Sequence, residues 1–165
     1  MNQKIEKNLY VDIGIDDRAR KKVAEILQAI LADEYILYTE TRNYHWNVTG
    51  DRFNDLHKFF ESQYTELSTI IDDVAERIRS IGERPDGTLT AFLKTGRVQE
   101  NLTNDIDSDT MILRLLSGHQ SLIRNLRTDL VACLEKYGDA GTNNFLTDLM
   151  EKHEKMSWML RSFLN

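Results

Sequence analysis

The sequence predicts an all-α protein: a four-helix bundle with a short extra helix in the long crossover between the second and third helices. Apolar residues recur at steps of three and four in four long segments, which is typical of helices that bury one face. The 165 residues include only one proline and eight glycines to interrupt them. The length suits one domain, so residues 1–165 are expected to form a single domain that includes an N-terminal arm, residues 1–15.

Capping and turn residues set the expected ends of the four long helices. The bounds are Asp16 or Asp17 to His45 or Trp46, Asp51 or Asn54 to Gly82, Ser108 or Asp109 to about Tyr137, and Thr142 or Asn143 through Phe163. The run Glu83–Gly87 is the strongest breaker, and a short helix is expected from Leu89 to Lys94. A crossover of this length would let the third helix run parallel to the second.

Composition and charge exclude several classes of protein. The chain has 41% hydrophobic and 29% charged residues, which is typical of a globular domain. Cys133 has no cysteine to pair with and is expected to be buried. The sequence has no apolar run long enough for a signal peptide or membrane span, so a soluble cytoplasmic protein is expected. The net charge of −6 argues against a surface that is basic throughout.

One stretch, from residue 44 to residue 76, combines histidines and carboxylates at regular spacings. The candidate ligands are His45, His57, Glu61, Asp72 and Glu76. Steps of four, as in 57 to 61 and 72 to 76, put two side chains on one face of a helix. Imidazole and carboxylate together suit divalent iron, manganese or zinc. Asp73 faces about 100° away from its neighbour and is not expected to be a ligand.

The helix rise separates these residues into two half-sites. His57 and Asp72 are 15 residues apart, which is about 22 Å along an unbroken helix, whereas metal–ligand bonds are about 2 Å long. One chain therefore cannot bring both pairs to one ion. If two copies of the second helix cross antiparallel near Glu66 or Leu67, a two-fold axis places one chain's His57 and Glu61 beside the other chain's Asp72 and Glu76. The spacing thus predicts a metal site at a dimer interface.

A plainer interpretation stays open at this point. Carboxylates four residues apart near Arg77 and Arg79 also occur on solvated helix faces, and a histidine at a helix end often only caps it or forms a core hydrogen bond. His119 and His153 lack the spacing and are expected to have no ligand role. Trp46 and Trp158 are expected to pack, with Trp46 also placed to border the site because it follows His45.

Longer motifs add a family resemblance over essentially the whole chain. The motifs are Tyr44-His45-Trp46-Asn47-Val48-Thr49-Gly50, Leu56-His57 to Glu61, Ile71-Asp72-Asp73-Val74-Ala75-Glu76-Arg77-Ile78, Gly141-Thr142, Phe145-Leu146-Thr147 and His153-Glu154-Lys155-Met156-Ser157-Trp158-Met159-Leu160-Arg161. They resemble the signature of the Dps family, the DNA-binding proteins from starved cells within the ferritin-like superfamily. The sequence contains no Glu-x-x-His, the motif by which ordinary ferritins and other di-iron bundles hold metal within one chain.

The resemblance implies a hollow dodecamer whose ferroxidase sites lie at two-fold interfaces. His45, His57 and Glu61 would come from one subunit, and Asp72 and Glu76 from its neighbour. The family often has Asp where this chain has Glu61, which keeps the type of ligand and changes only fine geometry. Iron would be oxidised by hydrogen peroxide or oxygen and stored as ferric mineral, which protects the cell from oxidative stress; zinc or manganese would be substitutes.

The resemblance also implies a route by which iron reaches the cavity. Acidic residues of the family line pores at three-fold axes, near the end of the third long helix and the start of the fourth. Glu135 and Asp139 are the candidates here. A carboxylate is common where this chain has Asn144, so one ring of negative charge is expected to be missing.

Two alternatives differ in class. Some members of the family bind DNA through lysine-rich tails, but the arm offers only Lys4 and Lys7 before three aspartates, Asp12, Asp16 and Asp17. Twelve such arms could add their effects, which would make DNA protection the main function and the nucleoid the location. A structural or zinc-binding particle with an impaired centre is the other alternative, and the complete set of five ligands argues against it.

Overall fold

The computed structural model describes residues 11–101 and 106–164, and these residues form helices and connections without a strand. The helices are α1 (Asp17–Asn47), α2 (Phe53–Ser80), α3 (Leu89–Thr95), α4 (Ser108–Val131) and α5 (Ala140–Ser162). The predicted all-α class and the order of four long helices and one short helix are confirmed. Lys4, Lys7 and most of the predicted arm lie outside the described residues.

Aspartate side chains cap three of the four long helices. Asp16 caps α1, as one of the two predicted alternatives, and accepts a 2.9 Å hydrogen bond from the Ala19 amide. Asp107 caps α4 and Asp139 caps α5, so the predicted starts were one to three residues late. In each case an aspartate stands just before the first turn and satisfies an amide that the helix leaves without a partner.

A π-helical turn, Ala132–Lys136, continues α4. The predicted third helix therefore includes a wider final turn, and it ends before Gly138, whose φ of +67° suits glycine. Cys133 lies in this turn and is buried, as expected. Glu135 also lies in the turn and is exposed.

Two packed pairs of helices form the bundle. α1 packs along α2, α4 packs along α5, and α1 also contacts α3 and α4. The buried apolar side chains fall into two clusters, one around Leu27, Leu67 and Leu122 and the other around Tyr44, Phe60 and Leu115. None of the helices in the described ranges is long and apolar enough to cross a membrane.

A salt-bridge network between Arg97 and two buried carboxylates holds the crossover against the bundle. The carboxylate of Asp33, in α1, accepts hydrogen bonds from the Val98 amide at 2.8 Å and from Arg97 Nε at 3.1 Å. The same guanidinium donates to Asp129, in α4, at 2.8 Å. The network thereby fixes the crossover to both α1 and α4.

Candidate metal centre

His45 and His57 lie together where α1 ends and α2 begins. Their rings stack with centroids 3.8 Å apart and planes 21° apart. His45 Nδ1 lies 2.8 Å from the main-chain oxygen of His57, and His57 Nδ1 lies 2.9 Å from the main-chain oxygen of His45. The carbonyl of His45 is free to accept because it belongs to the last turn of α1, where carbonyls have no partner within the helix.

These two hydrogen bonds determine which nitrogen of each ring carries a proton. A carbonyl oxygen can only accept, so each Nδ1 must be protonated. Each neutral imidazole then has its lone pair on Nε2. Metal-binding histidines in proteins commonly use the second nitrogen in this way, to donate to a carbonyl or carboxylate. Each ring therefore keeps one unprotonated nitrogen, Nε2, which is the kind of donor that a divalent metal ion binds.

The three carboxylates lie along α2, which is continuous from Phe53 to Ser80. Glu61, Asp72 and Glu76 are all exposed in the single chain. Because the helix is unbroken, the estimate of about 22 Å between His57 and Asp72 holds. No three His, Cys, Asp or Glu side chains within residues 11–101 and 106–164 of one chain are placed to hold one ion. The assignment of these five residues as ligands remains a prediction about two chains.

Aromatic rings surround the histidine pair. Phe53 lies 5.1 Å from His57, and Tyr64 lies edge-on to His45 at 5.2 Å between centroids. The guanidinium of Arg42 lies over the rings of both Tyr64 and Trp46. Phe53 and Tyr64 thus contact the two histidine rings, and Arg42 links Tyr64 to Trp46.

The two tryptophans correct an expectation from the sequence. Trp46 is 65% exposed and Trp158 is 59% exposed, so neither ring is buried in the core, although Arg42 lies over Trp46. Because Trp46 directly follows His45, its place at the border of the site remains a prediction.

The two carboxylates predicted to line a pore have different surroundings. Glu135 is exposed. Asp139 is only 2% exposed, accepts from the amide of Thr142 at 2.8 Å, and forms an ion pair with Arg77 at 3.2 Å. The carboxylate of Asp139 thus stabilises the start of α5, and Glu135 is the one that faces solvent in the single chain.

A second group of titratable side chains, which the ligand spacing did not indicate, lies inside the bundle. His119, His153 and Glu34 are completely buried. Glu34 was not singled out from the sequence, although it lies between Ile30 and Leu37 on the apolar face of α1. A carboxylate within an apolar stripe is the signal that could have found it.

Comparison with known proteins decides the family. The model of the ferritin-like domain matches residues 24–165. The chain belongs to the ferritin-like family. A low temperature-induced protein of Nostoc is 41% identical over 155 residues, which cover 93% of this chain and 86% of the relative. DNA protection during starvation protein 2 of Bacillus anthracis is 34% identical over 145 residues, which cover 88% of this chain and 98% of the relative.

Solved structures place the chain more closely within this family. The Dps protein of Vibrio cholerae O1, described as a member of a broad superfamily of ferritin-like diiron-carboxylate proteins, superposes with a TM-score of 0.86 at 35% identity. The match covers 93% of this chain and 95% of the Vibrio chain. The protein is a member of the Dps family, and the resemblance found in its motifs is confirmed.

Proposed function

We propose that this Dps-family protein is an iron-sequestering ferroxidase. It oxidises ferrous iron with hydrogen peroxide or oxygen and stores the ferric product as mineral inside a hollow dodecamer. Membership of a superfamily described as ferritin-like diiron-carboxylate proteins supports iron as the metal. Removal of free iron and peroxide together would protect the cell from oxidative stress, since the two otherwise react to give hydroxyl radical.

The reciprocal hydrogen bonds of His45 and His57 are the observation that carries this proposal. They hold both Nδ1 protons on carbonyl oxygens and so leave two Nε2 lone pairs as ligands. Glu61 lies one turn after His57 on the same face of α2 and adds a carboxylate. Asp72 and Glu76 of a second subunit would complete the site across a two-fold axis.

The proposed reaction is balanced in electrons and protons. Two ferrous ions each give one electron to hydrogen peroxide, which takes up two protons and leaves as two molecules of water. Carboxylates favour the ferric product because they are hard anionic ligands, and the imidazoles hold the ferrous substrate. Zinc and manganese suit the same donors and are expected to compete with iron.

A complementation experiment tests whether the site is shared between subunits. One variant carries His57→Ala and Glu61→Ala, and the other carries Asp72→Ala and Glu76→Ala. Each variant alone should lose rapid oxidation of ferrous iron by peroxide. When the two are co-expressed, about half of the two-fold interfaces are mixed, and one of the two sites at each mixed interface is intact. About a quarter of wild-type activity should return.

The result distinguishes a shared site from a site within one chain. If each site used only one chain, the mixed particle would have no intact site and no activity. If either double variant alone oxidised iron as fast as the wild type, the proposed ligands would be wrong. Asp55→Ala is a matched control, because Asp55 is an exposed carboxylate of α2 outside the proposed ligand set.

Direct protection of DNA is the alternative function. The name of one relative, DNA protection during starvation protein 2, is the reason to test it. The net charge of −6 opposes binding to duplex DNA. The only basic residues before the first aspartate, Asp12, are Lys4 and Lys7. We expect no retardation of duplex DNA in gels at low salt, where attraction to phosphate is strongest. Retardation that Lys4→Ala and Lys7→Ala abolish would favour the alternative.

A further inference from the structure

A groove on the surface of the bundle carries three arginines and no carboxylate. It has a volume of about 400 Å³ and lies between α4 and the end of the crossover, residues 97–101. The arginines are Arg97, Arg114 and Arg124, and none of the other described residues that line the groove is Asp or Glu. The groove is distinct from the proposed shared site, because neither histidine of that site lines it.

The sequence of α4 explains this local excess of positive charge. Residues 110–128 include three arginines and no Asp or Glu, although the whole chain has a net charge of −6. Two of these arginines, Arg114 and Arg124, line the groove, whereas Arg127 lies outside it and forms an ion pair with Glu154 of α5. The groove is thus a local region of positive charge on an acidic protein.

The three arginines of the groove differ in how far other groups compensate their charges. Arg97 is shared between two carboxylates, so it forms one wall of the groove and adds little net charge. Burial raises the pKa of Glu40, and the nearby Arg114 opposes that rise. Arg124, by contrast, is exposed, and its side chain forms no hydrogen bond or ion pair with any residue in the described ranges. Its guanidinium is the positive charge that the groove leaves for a ligand.

Two serine hydroxyls of α4 in the same groove also lack a partner. Serine and threonine within a helix can bond back to the carbonyl four residues earlier, and Thr41 donates to the Leu37 oxygen at 2.7 Å in this way. Ser117 and Ser121 line the groove, and neither side chain forms a hydrogen bond in the part of the chain that the structure describes. Each hydroxyl can therefore donate to an acceptor in the groove.

The two serines and Arg124 lie on one face of α4, at steps of four and three residues. The serines are about 6 Å apart along the helix axis, a distance that two hydrogen bonds of about 2.7 Å to different oxygens of one tetrahedral anion can span. Side chains of a helix lean toward its N-terminus, so the long side chain of Arg124 extends toward the serines. The geometry of the helix therefore directs three donors to one part of the groove.

We propose that the groove binds a phosphate group, with the guanidinium of Arg124 and the hydroxyls of Ser117 and Ser121 as its donors. Arginine suits phosphate because its planar fork of N–H groups matches two phosphate oxygens and keeps its charge. The phosphate oxygens accept the hydrogen bonds that these three side chains leave unmade. One uncompensated arginine suits a single phosphate rather than the many of a nucleic-acid backbone. Inorganic phosphate and a small ester such as AMP present the same oxygens.

Calorimetric titration of metal-free protein with inorganic phosphate tests this site. Iron is first removed with a chelator that is then dialysed away, so that phosphate cannot bind through metal, and chloride salt keeps the ionic strength constant. The wild type should bind one phosphate per chain, and phosphate should raise its unfolding temperature. Arg124→Gln, and separately the pair Ser117→Ala with Ser121→Ala, should each weaken binding by about tenfold or more, since hydrogen bonds to a charged group are lost.

Arg127→Gln is the matched control, because it removes the same charge from the same helix outside the groove. It should leave the affinity for phosphate unchanged, and a loss equal to that of Arg124→Gln would show only a general effect of charge and overturn the proposal. AMP distinguishes the two sources of phosphate. Displacement of phosphate by AMP assigns the site to esters as well, and no displacement assigns it to the free anion.

Other results would also overturn the phosphate site. The wild type would bind no phosphate, or would bind it no more tightly than Arg124→Gln does. Retardation of duplex DNA that Arg124→Gln abolishes, without binding of free phosphate, would assign the groove to nucleic acid instead. If Arg124→Gln does not fold, unchanged affinity in the variant with Ser117→Ala and Ser121→Ala would overturn the proposal.

Discussion

His45 and His57 each donate the Nδ1 proton to the main-chain oxygen of the other. Each residue therefore fixes the ring of its partner, although the two lie on different helices and 12 positions apart. The short connection between α1 and α2 makes this possible because it brings the last turn of one helix beside the first turns of the next. The nitrogens proposed to bind metal are thus oriented before any metal binds.

Solid-state ¹⁵N NMR of metal-free, histidine-labelled protein should show this arrangement directly. We expect His45 and His57 to carry their protons on Nδ1, since carbonyl oxygens can only accept. His153 is an internal contrast, because its Nε2 rather than its Nδ1 lies beside a carboxylate oxygen, that of Glu34. Signals that place the protons of His45 and His57 on Nε2 would contradict the proposed ligand geometry.

Arg97→Ala should destabilise the protein by about 1.5 to 3 kcal/mol, because it removes the guanidinium that donates to Asp33 and Asp129, although the Val98 amide still donates to Asp33. Asp33 is completely buried, and burial raises the pKa of Asp129 while Arg97 opposes that rise. Thermal unfolding at one protein concentration measures the change.

Arg127→Ala is the matched control for this loss of an arginine. Arg127 and Glu154 form an ion pair whose side chains are 59% and 41% exposed, and such pairs contribute less than about 1 kcal/mol. Equal losses in the two variants would show that Arg97 does not hold the crossover.

Cys133 should not react with thiol reagents while the protein is folded. Its side chain is completely buried, and burial, followed by Asp139 and Asp129, raises the pKa of the thiol to about 12. Since the thiolate is the reactive form, labelling at pH 8 should be slow and should become fast in denaturant. Rapid labelling of the native protein would show that the π-helical turn opens easily.

The stability of the metal-free protein should fall below about pH 6.5, and His119 should contribute to the loss. Burial, and then the nearby His153, lower the pKa of His119 well below its usual range. The unfolded chain keeps an ordinary histidine pKa of about 6.5, so below that pH the unfolded state binds more protons. The contribution is present above that pH and is lost as the pH falls, by up to about 1.4 kcal/mol per pH unit.

Denaturant unfolding between pH 5 and 7, with a chelator present, checks this dependence. His119→Gln should give a flatter curve than the wild type, because glutamine takes up no proton in the unfolded state. Curves of equal slope would contradict a neutral, buried His119.

The helices could be predicted because they depend on local spacing, whereas the ligand pairs that the same spacing indicates remain a prediction. Periodic apolar residues gave the helices, and steps of four gave the pairs His57 with Glu61 and Asp72 with Glu76. The caps of α4 and α5 were misplaced because several capping residues stand close together in each connection, and only geometry shows that Asp107 and Asp139 accept the amide hydrogen bonds.

Features that depend on packing between distant segments could not be predicted. Glu34 and His153 are 119 positions apart and meet only when α1 and α5 pack together. The exposure of Trp46 and Trp158 was missed for the opposite reason, since an aromatic residue on a helix suggests packing but not whether the partner is the same chain.

Asn144→Asp should speed the uptake of iron if the junction of α4 and α5 lines a pore. Asn144 is exposed in the first turns of α5, and Glu135 is exposed in the π-helical turn before it. An added carboxylate would restore a ring of negative charge and raise the local concentration of ferrous ions, an effect that salt should weaken. Stopped-flow oxidation at low iron concentration measures the initial rate. Gln99→Glu adds the same charge on the exposed crossover and should leave the rate unchanged. Equal initial rates for the wild type and Asn144→Asp would count against the pore.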